Sequence, residues 1–204
     1  MELEAAFARA AAADGIVFGP QGFDWLCEQG HVRLERVAKA RRDPALVAPV
    51  KAALARLEAI LARLRGDVSV LHAARANLLL SVGLVHASTG TAIAVDGPEH
   101  FTSFRLAALE LYPPELDVAA QQALCRQSAE RTDSLERGLA AKGFGFGGRP
   151  RERAYHDALL DPGAPAMGHP PVLRIAATDG DGAAAYGRHR AALPALSGSG
   201  SASL

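Results

Sequence analysis

Residues 44–86 read PALVAPVKAALARLEAILARLRGDVSVLHAARANLLLSVGLVH, and the expected fold follows from how they divide. In the first half Val47, Val50, Leu54, Leu57, Leu61 and Leu64 recur every three or four residues. That spacing lays one apolar stripe along a helix of 3.6 residues per turn. Lys51, Arg56, Glu58, Arg63 and Arg65 fall mostly off the stripe. Asp43 suits an N-cap with Pro44 at the first helical position, and Gly66 is a natural stop. The pattern predicts a helix over 44–65. The second half, 68–86, is apolar on most sides around Leu78-Leu79-Leu80 and reads as a central helix packed by its neighbours.

Working outward toward the N-terminus, residues 23–42 carry Leu26, Leu34 and Val37 on one side and predict a helix weakened by Gly30. Gly19-Pro20-Gln21-Gly22 is a turn cluster, and 2–14 is a short alanine-rich helix ended by Asp14-Gly15. In the other direction, 88–95 is ambiguous, with Thr91 to Val95 readable as a short extended piece. Asp96-Gly97-Pro98-Glu99 then restarts a helix, with an acid at the cap and a glutamate three residues on. Pro113-Pro114 ends it, and a further helix covers 115–141. After Lys142 the chain turns rich in glycine and proline, with a short helix over 151–160 and an extended piece over 172–176. The expected fold is all-α: a single bundle of five to six helices over 1–142, and an irregular segment, 143–196, packed on it or extending from it. A serine- and glycine-rich tail, 197–204, lacks the apolar residues to order itself.

Composition excludes several classes. Nearly half of the 204 residues are apolar, which suffices for a core without staples. Basic and acidic residues balance at 22 each, so nucleic acid is not favoured as a partner. Cys27 and Cys125 lie far apart with no CxxC spacing, which predicts two buried thiols in a reducing compartment. The N-terminal residues lack the charge and apolar run of a signal peptide. The most apolar stretch, 78–85, is far shorter than the roughly 20 residues a bilayer requires. A cytoplasmic protein with no membrane partner is expected, and export by a non-classical route is compatible with the same sequence.

Candidate chemistry is sparse. Gly143, Gly145 and Gly148 match GxGxxG, but a helix precedes them where a dinucleotide loop needs a strand. They read as a loop anchored by Phe144 and Phe146. Arg151 and His156 fit an R-x4-H spacing that resembles the ribonuclease motif of small helical HEPN domains. There the arginine steadies phosphate charge and the histidine moves a proton. Arg65 to His72 and Arg149 to His156 fit a looser version, about what chance gives in so arginine-rich a chain. His156-Asp157 is a bare HD pair, and the upstream His86 and His100 show no ligand spacing. His72 and His86, on one predicted helix, would stand about 21 Å apart and cannot share an ion. Glu28-x-x-His31 is half a di-iron motif without its second copy, and Asp179-x-Asp181-Gly182 lacks the rest of a calcium loop. No metal and no cofactor are expected. His156 and Arg151 stand as weak catalytic candidates.

The leading expectation is a non-enzymatic binding, adaptor or regulatory protein, with another protein or a second copy of itself as partner. The alternatives are a helical enzyme with phosphodiester or nucleotide chemistry around His156, and a helical pocket for a small molecule or cofactor. A cleft joining His156 to Arg75 or Arg105 would favour the enzyme. A large exposed apolar patch would favour the adaptor.

Overall fold

The helix expected over 68–86 begins, with the Asp67 carboxylate accepting from the Ser69 N–H, but ends at Ala73. The Leu78-Leu79-Leu80 run is extended instead. The Leu78 carbonyl accepts from the Glu28 N–H, the Leu80 N–H donates to the Leu26 carbonyl, and Leu79 bridges Cys27. Gly83 follows at φ +62°, where an added Cβ would lie 2.7 Å from the Ile93 carbonyl oxygen. Glycine alone adopts that turn without strain, and it feeds a strand.

The computed structural model describes residues 2–19 and 22–193. Helices α1 (Glu2–Ala13), α2 (His31–Arg41), α3 (Pro44–Arg63), α4 (Val68–Ala73), α5 (Ser103–Leu109), α6 (Ala119–Glu136), α7 (Arg149–Leu160), α8 (Gly163–Ala166) and α9 (Gly182–His189) surround a sheet. Strands β1 (Phe18–Gly19), β2 (Leu84–His86), β3 (Ala92–Asp96) and β4 (Leu173–Ala176) follow one another across it. The first three pair antiparallel, and β4 joins β3 in parallel with Ala94 opposite Arg174. The expected all-α bundle of five to six helices is therefore wrong: the protein is mixed, with a four-stranded sheet at its centre. A short apolar run does not declare its period, and the strand that completes this sheet comes from the segment beyond residue 142.

Alternation along the strands gives the sheet two different faces. Leu84, Ile93, Val95, Leu173 and Ile175 face a small core closed by Phe7 of α1 and Tyr186 of α9. Val85, Ala92, Ala94 and Ala176 face the larger core of Trp25, Leu34, Leu57, Ile60, Tyr155 and Leu159. Asp96 and Arg174, in step with Ala94 and Ala176, face the same larger side.

The best-patterned helix forms as expected. Asp43 caps α3, accepting from the Ala45 N–H at 2.9 Å. Val50, Leu57, Leu61 and Leu64 are buried while Val47 is 68% exposed. Its stripe packs mainly on α2, α5, α7 and α8. Gly30, at φ +56°, delays α2 to His31. Asp96 caps nothing: it ends β3, and Thr102 caps α5 by accepting from the Arg105 N–H. Within the segment 143–196, α7 sits in the larger core and β4 in the sheet. Both cysteines are buried thiols. No helix among the described residues is long and apolar enough to cross a membrane. The tail, 197–204, lies outside the described residues.

Candidate active site

α7 presents two unlike faces. Ala154, Tyr155, Ala158 and Leu159 are buried against the large core. Arg149, Glu152, Arg153, His156, Asp157 and Leu160 recur at steps of three and one, which places them on a second face. That face, with Ala94 to Asp96 of β3, His100 and the 80–83 turn, lines a cleft of about 340 Å³.

The floor of the cleft is a closed ring of charge. Asp157 of α7 and Asp161, the residue that caps its C-terminus, stand one turn apart, and two guanidinium groups bridge them. Arg174 of β4 reaches Asp157 Oδ1 at 3.0 Å and Asp161 Oδ1 at 2.9 Å. Arg105 of α5 lies 2.7 Å from Asp157 Oδ2 and 2.8 Å from Asp161 Oδ2. Arg174 also donates to Asp96 Oδ1 at 2.6 Å, and the Tyr112 hydroxyl donates to Asp161 Oδ2 at 2.9 Å. All five charged residues are more than nine-tenths buried. Charges so far from water persist only when paired, and here each has at least two ionic partners except Asp96, although Arg105 Nη1 is buried beside Asp157 without a hydrogen bond. Burial alone would raise the Asp96 carboxyl, but Arg174 and Arg105 hold it below the ordinary carboxylate range.

His100 stands above this ring, its Nδ1 2.9 Å from Asp157 Oδ2 and 3.7 Å from Asp96 Oδ1. Two neighbouring carboxylates would favour an imidazolium. Burial opposes them and, with the nearby Arg174, Arg105 and Arg153, lowers the imidazole to about 4. At neutral pH the contact is therefore a neutral ring donating Nδ1–H to Asp157. This fixes the tautomer and leaves the Nε2 lone pair as the basic site. A fifth of the His100 side chain remains exposed, on the cleft. His156 lines the same cleft, and burial, helped by Arg149, lowers it also to about 4.

Asp96, His100 and Asp157 each bring one potential ligand atom within 4.8 Å of the others. Both carboxylates are already neutralised by guanidinium groups fixed on other elements. A divalent cation would have to displace Arg174 or sit beside it, so the donor set fits an ion-pair network better than a metal site.

The sequence candidates part company here. His156 is in the cleft. Arg151 points elsewhere and stacks on Phe104, 5.0 Å from the ring centre. Of the looser spacings, Arg149 and His156 do share the cleft. Arg105 touches the site through Asp157, and Arg75 does not line it. His31 binds the Tyr155 hydroxyl and Glu28 is exposed, so that pair forms no site. His86 spends both ring nitrogens on Thr89 and Ser88. Asp181 caps α9. In the glycine loop only Phe144 is anchored, while Phe146 is 79% exposed. Asp96, Asp161, Arg174 and His100 carry no motif spacing that marks them as a site in the sequence. A signal was present: a polar stripe at 149, 152, 153, 156 and 157 inside a helix whose other positions, Arg151 apart, are mostly apolar. No family model, no curated protein and no solved structure matches this chain.

Proposed function

We propose that this cleft is the active site of an enzyme acting on a small substrate with an anionic group, a phosphate ester by preference. His100 serves as general base, Asp157 orients it, and Arg149 and Arg153 receive the anion. The observation that carries this reading is His100 Nδ1 held 2.9 Å from a buried, doubly clamped aspartate at the edge of a cleft. Such a ring, unprotonated at neutral pH, takes up a proton at Nε2 without rearranging, and Asp157 fixes its orientation. Arg149 and Arg153 each engage a glutamate through Nη1, and their remaining guanidinium nitrogens are available to bind phosphoryl oxygens. His156 supplies a second imidazole beside the anion.

The test is hydrolysis of p-nitrophenyl phosphate, bis(p-nitrophenyl) phosphate and p-nitrophenyl acetate by wild type and His100→Gln. Turnover of a phosphate ester is expected, falling about 10²- to 10⁴-fold in His100→Gln with the fold retained. The reading fails if wild type turns over none of the three and inorganic phosphate leaves the histidine NMR signals unmoved.

A second reading is the non-enzymatic one, action through protein contacts. It is supported by an apolar groove of about 240 Å³ formed by Ala38 of α2 and Leu46, Val47, Val50 and Leu54 of α3. Self-association that sedimentation detects at high concentration, and that Val47→Asp abolishes, would favour it.

A further inference from the structure

The hairpin between β2 and β3 turns through Ala87-Ser88-Thr89-Gly90. Its frame is built without Ser88. The His86 N–H donates to the Thr91 carbonyl, the Gly90 N–H to the His86 carbonyl and the Ala87 N–H to the Val17 carbonyl. His86, the last residue of β2, is fully buried, with the Phe18 ring edge-on beside it. Its imidazole stands between two hydroxyl groups. Nδ1 lies 2.8 Å from Thr89 Oγ1, and Nε2 lies 3.2 Å from Ser88 Oγ.

Thr89 is itself fixed. Its Oγ1 accepts from the Thr91 N–H at 3.2 Å and stands 2.6 Å from Thr91 Oγ1. With Nδ1–H donating to Thr89 and the Thr89 hydroxyl donating to Thr91, the Nε2 lone pair turns to Ser88. Burial lowers the imidazole below its ordinary value, so the ring is unprotonated at neutral pH. Ser88 is exposed, and among the described residues its Oγ meets only Nε2. This hydroxyl holds no part of the turn together. It stands at the open end of an oriented imidazole, with a third group on the other ring nitrogen, which is the arrangement that activates a nucleophile.

We propose that Ser88 is a nucleophile that takes the acyl group of small carboxylic esters, with His86 as its base and Thr89 positioning that base. Ser88 Oγ bonds to the acyl carbon and its proton passes to His86 Nε2. The bond to the leaving alkoxide breaks, and the alkoxide takes that proton. Water, deprotonated in turn by Nε2, releases the acid and restores the hydroxyl. No residue of this turn lines the proposed enzymatic cleft, so the two sites stand or fall separately.

The test uses p-nitrophenyl acetate and diisopropyl fluorophosphate, with tandem mass spectrometry to locate the adduct. Both reagents should modify Ser88 and spare the equally accessible class of exposed serines, Ser103 and Ser134. Ser88→Ala, at an exposed position, should abolish the adduct and keep the fold. His86→Gln should slow its formation about 10²-fold or more. Thr89→Val should slow it and Thr89→Ser should restore most of the rate, since only the serine returns the hydroxyl. Thermal melts report the fold of each variant. The proposal is overturned if wild type carries no adduct at Ser88, if Ser103 or Ser134 reacts as fast, or if folded His86→Gln reacts as fast as wild type. A Thr89→Val rate equal to wild type overturns the role given to Thr89.

Discussion

At Asp157 one carboxylate accepts from His100 and meets the guanidinium groups of two other elements, Arg105 of α5 and Arg174 of β4. Removing one partner of such a group strands charge in a medium that solvates it poorly. Arg105→Met should therefore cost about 3–5 kcal/mol in urea unfolding; a cost below about 1 kcal/mol would mean that water or a rearranged Arg174 already carries the load. The two cleft histidines predict a pH dependence. Each has a folded value of about 4 against the ordinary 6.5. Above that ordinary value both chains, folded and unfolded, are neutral at these positions and nothing is lost. As the pH falls toward 4 the unfolded chain binds protons that the folded chain refuses, so stability drops over that interval. The limit is on the order of 3 kcal/mol for each ring. Asp96, held below its ordinary value of 3.8, adds its loss only at still lower pH. Urea titrations at pH 7, 5.5 and 4.5 should show the decline, and it should shrink in His156→Gln. Equal slopes in wild type and variant would show that His156 protonates freely in the folded protein.

Among the elements, α3 and the β2–β3 hairpin mark what periodicity can and cannot resolve. The α3 stripe runs long enough for its period to be unambiguous, and Leu57 at its centre is fully buried. Leu57→Ala should cost about 2–5 kcal/mol as a core cavity. The cost should be the same at every protein concentration, because the stripe meets helices of its own chain. A concentration-dependent loss would transfer the stripe to an interface. The run from Leu78 to Leu80 is too short to distinguish a buried helix from an extended segment, and its hydrogen bonds go to residues 26–28. The hairpin then depends on Gly83. Gly83→Ala places a Cβ at positive φ against the Ile93 carbonyl and the Glu4 side chain, which should cost about 1–3 kcal/mol. A neutral result in a melting comparison would mean that the turn relaxes.

For the molecule as a whole, the ring of Asp157, Arg105, Asp161 and Arg174 joins α5, α7 and β4, while Ile175 of β4 closes the small core under α1 and α9. A fragment ending at residue 142 loses α7, β4 and three of the four ring members. It should show poor amide dispersion in NMR and no cooperative unfolding transition. A well-dispersed, cooperative 1–142 fragment would instead make the C-terminal segment an appendage. By itself the sequence determined α3 and its Asp43 cap, the short α1, the helical character of 151–160 and the buried free thiols. All of these rest on local spacing or on residue type. Only the tertiary structure decided that the apolar run after α4 is extended and that β4 pairs with β3. It alone brought Asp96, His100, Asp157 and Arg174 together. Those residues come from separate parts of the chain, and parallel strand pairing and buried ion pairs leave no period in a sequence because their partners are set by the path of the chain between them.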